Sequence, residues 1–253
     1  MDHIDKENIK NKGFITKFPA FTDIEFEFIR KSINNQYNDV LKELLPEEIQ
    51  KSHFKDSFNV SRYHEICKRI DHPKTWYKLN RILNKNFADW LLGSSYILNI
   101  KKEYGEIEIT DEENLGYPNI YWRLVRPNID RDVGSLHRDA WFWEIDKLNG
   151  KTFPEYKRLK SWISINVEPG KNGLLVVPES HLKNEIKWST IQKDGGTKPV
   201  LSSKIKDEDI CLLYTKNNTV VIFDDKLLHG GSKNNGDSTR VSLEFTLFLK
   251  DYN

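Results

Sequence analysis

His137 and Asp139 stand two residues apart in Gly134-Ser-Leu-His-Arg-Asp-Ala-Trp-Phe-Trp143, shortly after a strand-like run. In extended backbone, residues i and i+2 point to the same side, so one imidazole and one carboxylate would converge on a single point. A third donor is offered by His229, which follows the apolar run Val220-Val-Ile-Phe223. Two imidazoles and a carboxylate on one face of an iron leave its other positions open, which is the donor set of non-haem Fe(II) oxygenases. Eleven residues beyond His229, Arg240 opens a strand-like segment in which Arg240, Ser242 and Glu244 share one face and Val241, Leu243 and Phe245 the other. A guanidinium with a hydroxyl beside it is a fork suited to one carboxylate, so a carboxylate-bearing co-substrate is implied. An isolated His-x-Asp would read as a solvated surface turn; its company is what gives it weight.

His137-x-Asp139, His229, Arg240-x-Ser242 and the run Asn172-Gly-Leu-Leu-Val-Val-Pro-Glu-Ser-His181 together resemble the phytanoyl-CoA dioxygenase-like branch of the Fe(II)/2-oxoglutarate oxygenases, over the half of the chain from Ile120 to Phe248. The resemblance implies Fe(II) held by His137, Asp139 and His229, with 2-oxoglutarate as co-substrate and O2 as oxidant. It implies that Arg240, helped by Ser242, holds the distal carboxylate of 2-oxoglutarate. Trp162 and Ser164 become a wall and a hydrogen-bond donor of that pocket, although an ordinary core Trp with an incidental Ser fits the same pattern. Tyr121 and Arg123 become polar cavity residues on the preceding strand, and Trp143 a substrate contact. The family's histidine at the position of His181 lies at a turn, so His181 is not counted as a ligand. Leu174 and Glu179 stand where the family often has a proline and a glycine, which touches the turns alone. Halogenating members lack the ligand carboxylate; Asp139 therefore points to hydroxylation of an unactivated C–H of a small soluble metabolite, with release of succinate and CO2.

These residues need a scaffold, and the pattern around them describes one. Residues 1–13 lack periodicity and read as a mobile or loosely docked tail. From residue 14 to 105 the spacing is helical: Thr22 and Glu25 form a capping pair ahead of a stripe through Phe26, Ile29, Ile33, Tyr37 and Leu41. A broken segment follows Pro46, and a third helix runs from Pro73 to Gly93. From residue 106 the period falls to two, with strands at 107–110, 120–126, 162–167, 174–177, 220–223 and 241–249, and an insertion at 183–209 that carries Trp188 and the flexible Gly195-Gly196 as a lid over the barrel mouth. Strands that follow helices without regular alternation argue against a doubly wound sheet. The expected fold is mainly β, a double-stranded β-helix (jelly-roll or cupin-like barrel) packed against N-terminal helices, with 1–253 as a single domain.

Composition narrows the partners. Lys plus Arg number 39 against 38 Asp plus Glu, so no net field favours nucleic acid or an anionic membrane. No apolar run reaches spanning length, and the polar N-terminus has no apolar signal core, so a cytoplasmic enzyme is expected, as a monomer or homodimer. Cys67 and Cys211 lack metal-like spacing and read as reduced core thiols. Two rival functions share the barrel: a non-catalytic jelly-roll binding protein, and a cupin-type metal-dependent hydrolase or isomerase. Neither needs the Arg240-x-Ser242 fork in addition to all three metal donors.

Overall fold

The computed structural model describes residues 4–55, 58–146, 156–193 and 196–250. Its helices are α1 (Ile4–Lys12), α2 (Asp23–Lys42), α3 (Glu47–His53), α4 (Tyr63–Ile66), α5 (His72–Thr75), α6 (Lys85–Leu92), α7 (Ser95–Tyr104) and α8 (Asp139–Asp146). Its strands are β1 (Phe14–Lys17), β2 (Ile107–Ile109), β3 (Tyr121–Val125), β4 (Lys157–Asn166), β5 (Leu174–Val176), β6 (Trp188–Lys193), β7 (Gly196–Leu201), β8 (Cys211–Leu212), β9 (Val220–Asp224), β10 (His229–Gly231) and β11 (Arg240–Leu249).

The main sheet runs β1-β9-β4-β11-β2, with β3 also paired to β11, and a second sheet runs β10-β5-β8. Both are antiparallel throughout. Strict period-two alternation makes the main sheet two-faced. Leu159, Ile163 and Ile165 of β4, Val220 and Ile222 of β9, and Val241, Leu243, Phe245, Leu247 and Leu249 of β11 join one apolar cluster with Ile29, Ile33, Tyr37 and Leu41 of α2 and with side chains of α6 and α7. On the other face Trp162, Val221 and Phe223 meet Leu174 and Val176 of β5. Two sheets face each other across this smaller cluster while helices cover the outside of the larger one, so the fold is a double-stranded β-helix backed by helices, and the sheets do not close into a continuous barrel.

The capping pair behaves as the sequence implies. The Thr22 hydroxyl accepts the Glu25 N–H at 3.3 Å and the Glu25 carboxylate accepts the Thr22 N–H at 3.0 Å. Elsewhere tertiary contacts override local pattern. The segment read as a tail forms α1, with Ile9 buried and Asp5 in an ion pair with Lys17, and the stretch read as helical from residue 14 opens instead with β1, which pairs with β9. The single helix expected from Pro73 is broken: Ile82 bridges Tyr121 in extended backbone, and Asn84 then accepts the Phe87 N–H at 3.1 Å to start α6. Ser94 caps a further helix, α7, where Gly93-Ser-Ser reads as a stop. Cys211 is exposed and Cys67 half-buried, and both are free thiols, so neither is the core residue expected. Asp132 is a bidentate partner of the buried Arg126 at 2.6 and 2.7 Å. The insertion contains the hairpin β6–β7, whose Trp188 stacks on Trp141 with ring centroids 5.3 Å apart; Gly195 of the expected hinge lies outside the described residues. No described helix is long and apolar enough to cross a membrane.

The two-faced character of β11 can be tested directly. Leu243→Ala should lower unfolding free energy by about 2–5 kcal/mol in urea titrations, through lost burial plus a cavity. Ile24→Ala, on a side chain 85 % exposed, should change it by less than about 0.5 kcal/mol.

Candidate metal centre

The two histidines meet through their own backbones. His137 donates its N–H to the His229 carbonyl at 2.9 Å and His229 returns the bond at 3.0 Å, an isolated antiparallel bridge that sets the imidazole centroids 4.5 Å apart. Asp139 arrives differently from the sequence expectation. It is the first residue of α8, not a partner of His137 on one strand, and Ala140 anchors that turn by donating to the Asp225 carbonyl at 2.9 Å. Between the two ligands, Arg138 is buried and its Nη2 donates to the carbonyls of Ser180 and Lys183 at 2.5 and 2.6 Å. Arg138 thus pins the loop that presents both donors, whereas the sequence suggested at most a solvated charge.

The imidazoles are oriented as ligands. His137 Nδ1 donates to the Ser135 carbonyl at 2.8 Å and His229 Nδ1 to the Leu227 carbonyl at 2.9 Å. A carbonyl can only accept, so each Nδ1 carries the hydrogen and each Nε2 presents its lone pair. Both Nε2 atoms lie 3.7 Å from Asp139 Oδ1, too far for a hydrogen bond and suitable for an ion held among them. One donor atom from each of the three residues falls within 4.8 Å of the others. Asp139 Oδ2 is buried with no hydrogen-bond partner.

Electrostatics agree with this geometry. Burial alone would raise the Asp139 carboxyl, but Lys160, His229 and His137 outweigh it and hold the group far below the ordinary carboxylate range. Burial holds the His229 imidazole down at about 4, so that ring is neutral at pH 7. Burial acts in the same direction on His137, yet the adjacent Asp139 carboxylate wins and raises it, favouring a positive charge at a point where a metal dication would serve equally.

Around the triad lies a charged interior. Phe142 meets the His137 ring edge-on at 5.5 Å, and Trp143 meets Phe248 in the same way at 5.5 Å. The three aromatics of α8 therefore diverge, Trp141 toward the hairpin and Trp143 toward the inner face of β11. Phe142, overlooked in the sequence, is the aromatic in contact with a triad ring. Tyr121 donates to Glu113 at 2.9 Å, and Arg123 Nε donates to Glu244 at 2.6 Å. Burial would raise Glu244, but Arg123 and Lys160 hold it at about 2. Lys160 Nζ stands 3.8 Å from Asp139 Oδ2. Burial opposes its charge, while Asp139, Glu244 and Glu112 raise it above the ordinary lysine value and keep it protonated. Lys160 sits two residues before Trp162 on the same face of β4, so the period-two rule that singled out Trp162 contained it too.

The opposite end of β11 holds Arg240, whose Nη1 donates to the Gly173 carbonyl at 2.6 Å and the Ser232 carbonyl at 3.2 Å. Its Nε and the Ser242 hydroxyl are buried without partners, and no described carboxylate lies within 4 Å of the guanidinium. Burial holds its pKa down at about 10. Gly231 makes room: a Cβ there would stand 2.8 Å from Arg240 Nη2. Trp162 is buried between the sheets, in keeping with a wall. Ser164 is a correction to the expected pocket donor. Its hydroxyl donates to the Lys216 carbonyl at 2.6 Å or the Thr219 carbonyl at 3.0 Å and accepts the Thr219 N–H at 3.0 Å, so it closes a turn instead. His181 donates or accepts at Lys10 O, which is an acceptor, so its Nε2 is the donor at 2.9 Å and is committed away from the triad. Glu179, where the resembled pattern has glycine, adopts a left-handed φ of 63°, the conformation that glycine favours.

A profile of the phytanoyl-CoA dioxygenase (PhyH) family matches residues 116–242. No curated protein sequence matches. Among solved structures, the chain is similar to EvdO2 from Micromonospora carbonacea var. aurantiaca, with a TM-score of 0.61 and 13 % identity over 98 % of this chain and 91 % of that one. It is similar to EctD from S. alaskensis with bound Fe, at a TM-score of 0.55 and 15 % identity over 98 % of this chain and 77 % of that one. The third is SnoK, a non-haem alpha-ketoglutarate-dependent carbocyclase from nogalamycin biosynthesis, at 0.54 and 11 % identity over 98 % and 84 % of the two chains. At these identities the likeness is one of fold.

Removing one donor should separate ligands from bystanders. His229→Ala should lower Mn(II) affinity by at least tenfold in calorimetric titration, while His181→Ala leaves it within about twofold of wild type. Equal affinity in the two variants would remove His229 from the site.

Proposed function

The chain belongs to the phytanoyl-CoA dioxygenase (PhyH) family, and from that premise we propose that it is an Fe(II)- and 2-oxoglutarate-dependent dioxygenase that hydroxylates an unactivated C–H of a small soluble metabolite, releasing succinate and CO2. The observation that carries this reading is Arg240, a buried guanidinium whose partners among the described residues are two carbonyls and no counter-ion. A buried charge of that kind is costly unless paired, and the unpartnered Ser242 hydroxyl beside it completes a cradle for a carboxylate. Together with a two-histidine, one-carboxylate donor set, it supports a metal that shares its site with a dicarboxylic co-substrate. EctD with 2-oxoglutarate and bound Fe, and EvdO2 with 2-oxoglutarate, are fold relatives consistent with it.

In this mechanism His137, Asp139 and His229 would hold Fe(II), and Arg240 with Ser242 would hold the distal carboxylate of 2-oxoglutarate. When bound, the iron and 2-oxoglutarate supply the oxidising chemistry with O2. The chain's own part is orientation and exclusion. The Ser135 and Leu227 carbonyls keep both Nε2 lone pairs aimed at the ion, Phe142 packs on the His137 ring, and Trp162 with Val221 and Phe223 walls the space between the sheets against water. The inner face of β4 and β3 receives substrate, with Tyr121, Arg123 and Trp143 at its edge. Retention of Asp139 favours hydroxylation over halide transfer. The helices and sheets act as one catalytic unit, and the two free thiols suit a reducing cytoplasm. A non-catalytic binding module would have no use for three freed metal donors and a carboxylate fork.

Arg240→Ala in the Mn(II)-loaded protein should weaken 2-oxoglutarate binding by about 2–5 kcal/mol in calorimetry. Gly231→Ala should also weaken it, since the added methyl displaces the guanidinium. Wild-type affinity in Arg240→Ala would refute the clamp. A screen of metabolites for succinate release by the Fe(II)-loaded protein tests the reaction.

A further inference from the structure

Resting on the reading above, we propose that the cavity beside the triad is a receptor for a small zwitterion, its carboxylate taken by Lys160 and its ammonium by Glu112. Most of the charges beside the triad are already matched. Arg123 is bonded to Glu244 at 2.6 Å, and Glu113 is taken by Lys78 and by the Tyr121 hydroxyl. Two groups are left. Lys160 carries three donors and, among the described residues, makes no hydrogen bond and has a single ion-pair partner, Asp139 Oδ2 at 3.8 Å. Glu112 has as its one contact the Tyr121 hydroxyl at 3.5 Å, at the limit of a hydrogen bond. Tyr121 of β3 stands opposite Glu244 and Lys160 of β4 opposite Thr246 on the same face of the sheet, so Lys160 and the Glu112 at the Tyr121 hydroxyl border one inner face, and among the described residues no ion pair within 4 Å joins them.

Metal loading sharpens the mismatch. A dication held by Asp139 neutralises the anion nearest Lys160 and leaves the ammonium facing the reaction space with its donors unused. Solvent access is graded in the same sense: the side chains of Lys160 and Asp139 are 13 and 14 % exposed, while that of Arg123 is 39 % exposed. The unmatched cation beside the triad thus lies at the less exposed end of this face. A partner with one charge would satisfy either Lys160 or Glu112 and leave the other poorly compensated in a partly dry cavity. A short molecule carrying both charges, such as an amino acid, satisfies the two at once and sets its carbon skeleton against the metal.

The experiment uses the Mn(II)- and 2-oxoglutarate-loaded protein and a panel of α-, β- and γ-amino acids, each beside its amide and its N-acetyl derivative. Thermal unfolding midpoints and the fluorescence of the seven tryptophans report binding without turnover. At least one free amino acid should raise the midpoint, while its amide and N-acetyl forms bind at least tenfold more weakly. Lys160→Met should abolish the effect, Lys160→Arg should restore part of it, and Glu112→Gln should erase the preference for the free amine over the N-acetyl form. The proposal is overturned if no panel member binds, if the neutralised forms bind equally, or if Lys160→Met binds like wild type. Loss of Mn(II) or 2-oxoglutarate affinity in Lys160→Met would also overturn it, by making Lys160 a positioning residue for Asp139. Failure of the wild-type protein itself to bind 2-oxoglutarate would instead sink the oxygenase reading on which the proposal rests.

Discussion

The structure depends on the strict two-sidedness of β11. Five of its side chains, Val241, Leu243, Phe245, Leu247 and Leu249, are driven into the apolar layer beneath the helices. Because side chains alternate, that commitment forces Arg240, Ser242, Glu244, Thr246 and Phe248 to the other face. A shift of one residue in register would bury the charged row among helices and expose the apolar row, at a cost no local contact could offset. The hydrophobic drive that folds the protein is thus also what lines its cavity with charge.

Neighbouring strands extend the rule. β4 pairs along nearly the whole of β11, setting Trp162 opposite Glu244 and Lys160 opposite Thr246, and β3 sets Arg123 opposite Ser242. The irregularity between Val241 and Ser242 falls where the chain must present Arg240 to Gly173 and Ser232 and away from its neighbours on β4. Arg240 and the charged interior therefore occupy opposite ends of one strand face.

The triad itself is held by backbone. Reciprocal hydrogen bonds between His137 and His229 fix two candidate metal donors relative to each other through backbone alone. Side chains then refine the site: carbonyls set each imidazole's tautomer, and Arg138 ties the intervening loop to the Ser180 turn. Such a site carries unmatched groups, namely Asp139 Oδ2, Arg240 Nε and the Ser242 hydroxyl. Natural folds tolerate buried unmatched polar atoms chiefly where a ligand completes them.

What the amino-acid sequence determined by itself was whatever follows from period and residue type. Alternation in β11 and β4, the helical stripe of α2 with its capping box, and the donor types of His137, Asp139, His229 and Arg240 were all legible because each is a local rule. Tertiary structure decided the rest. It turned the apparent tail into α1 by burying Ile9, made a strand of residues 14–17 by supplying β9 as a partner, and opened a helix at Asp139 in place of continued extended chain. It also withdrew Ser164 into a turn, turned Phe142 toward His137, and set Lys160 beside Asp139 from a separate stretch of chain. Long-range burial and electrostatics govern those outcomes, and neither is encoded in spacing along the chain.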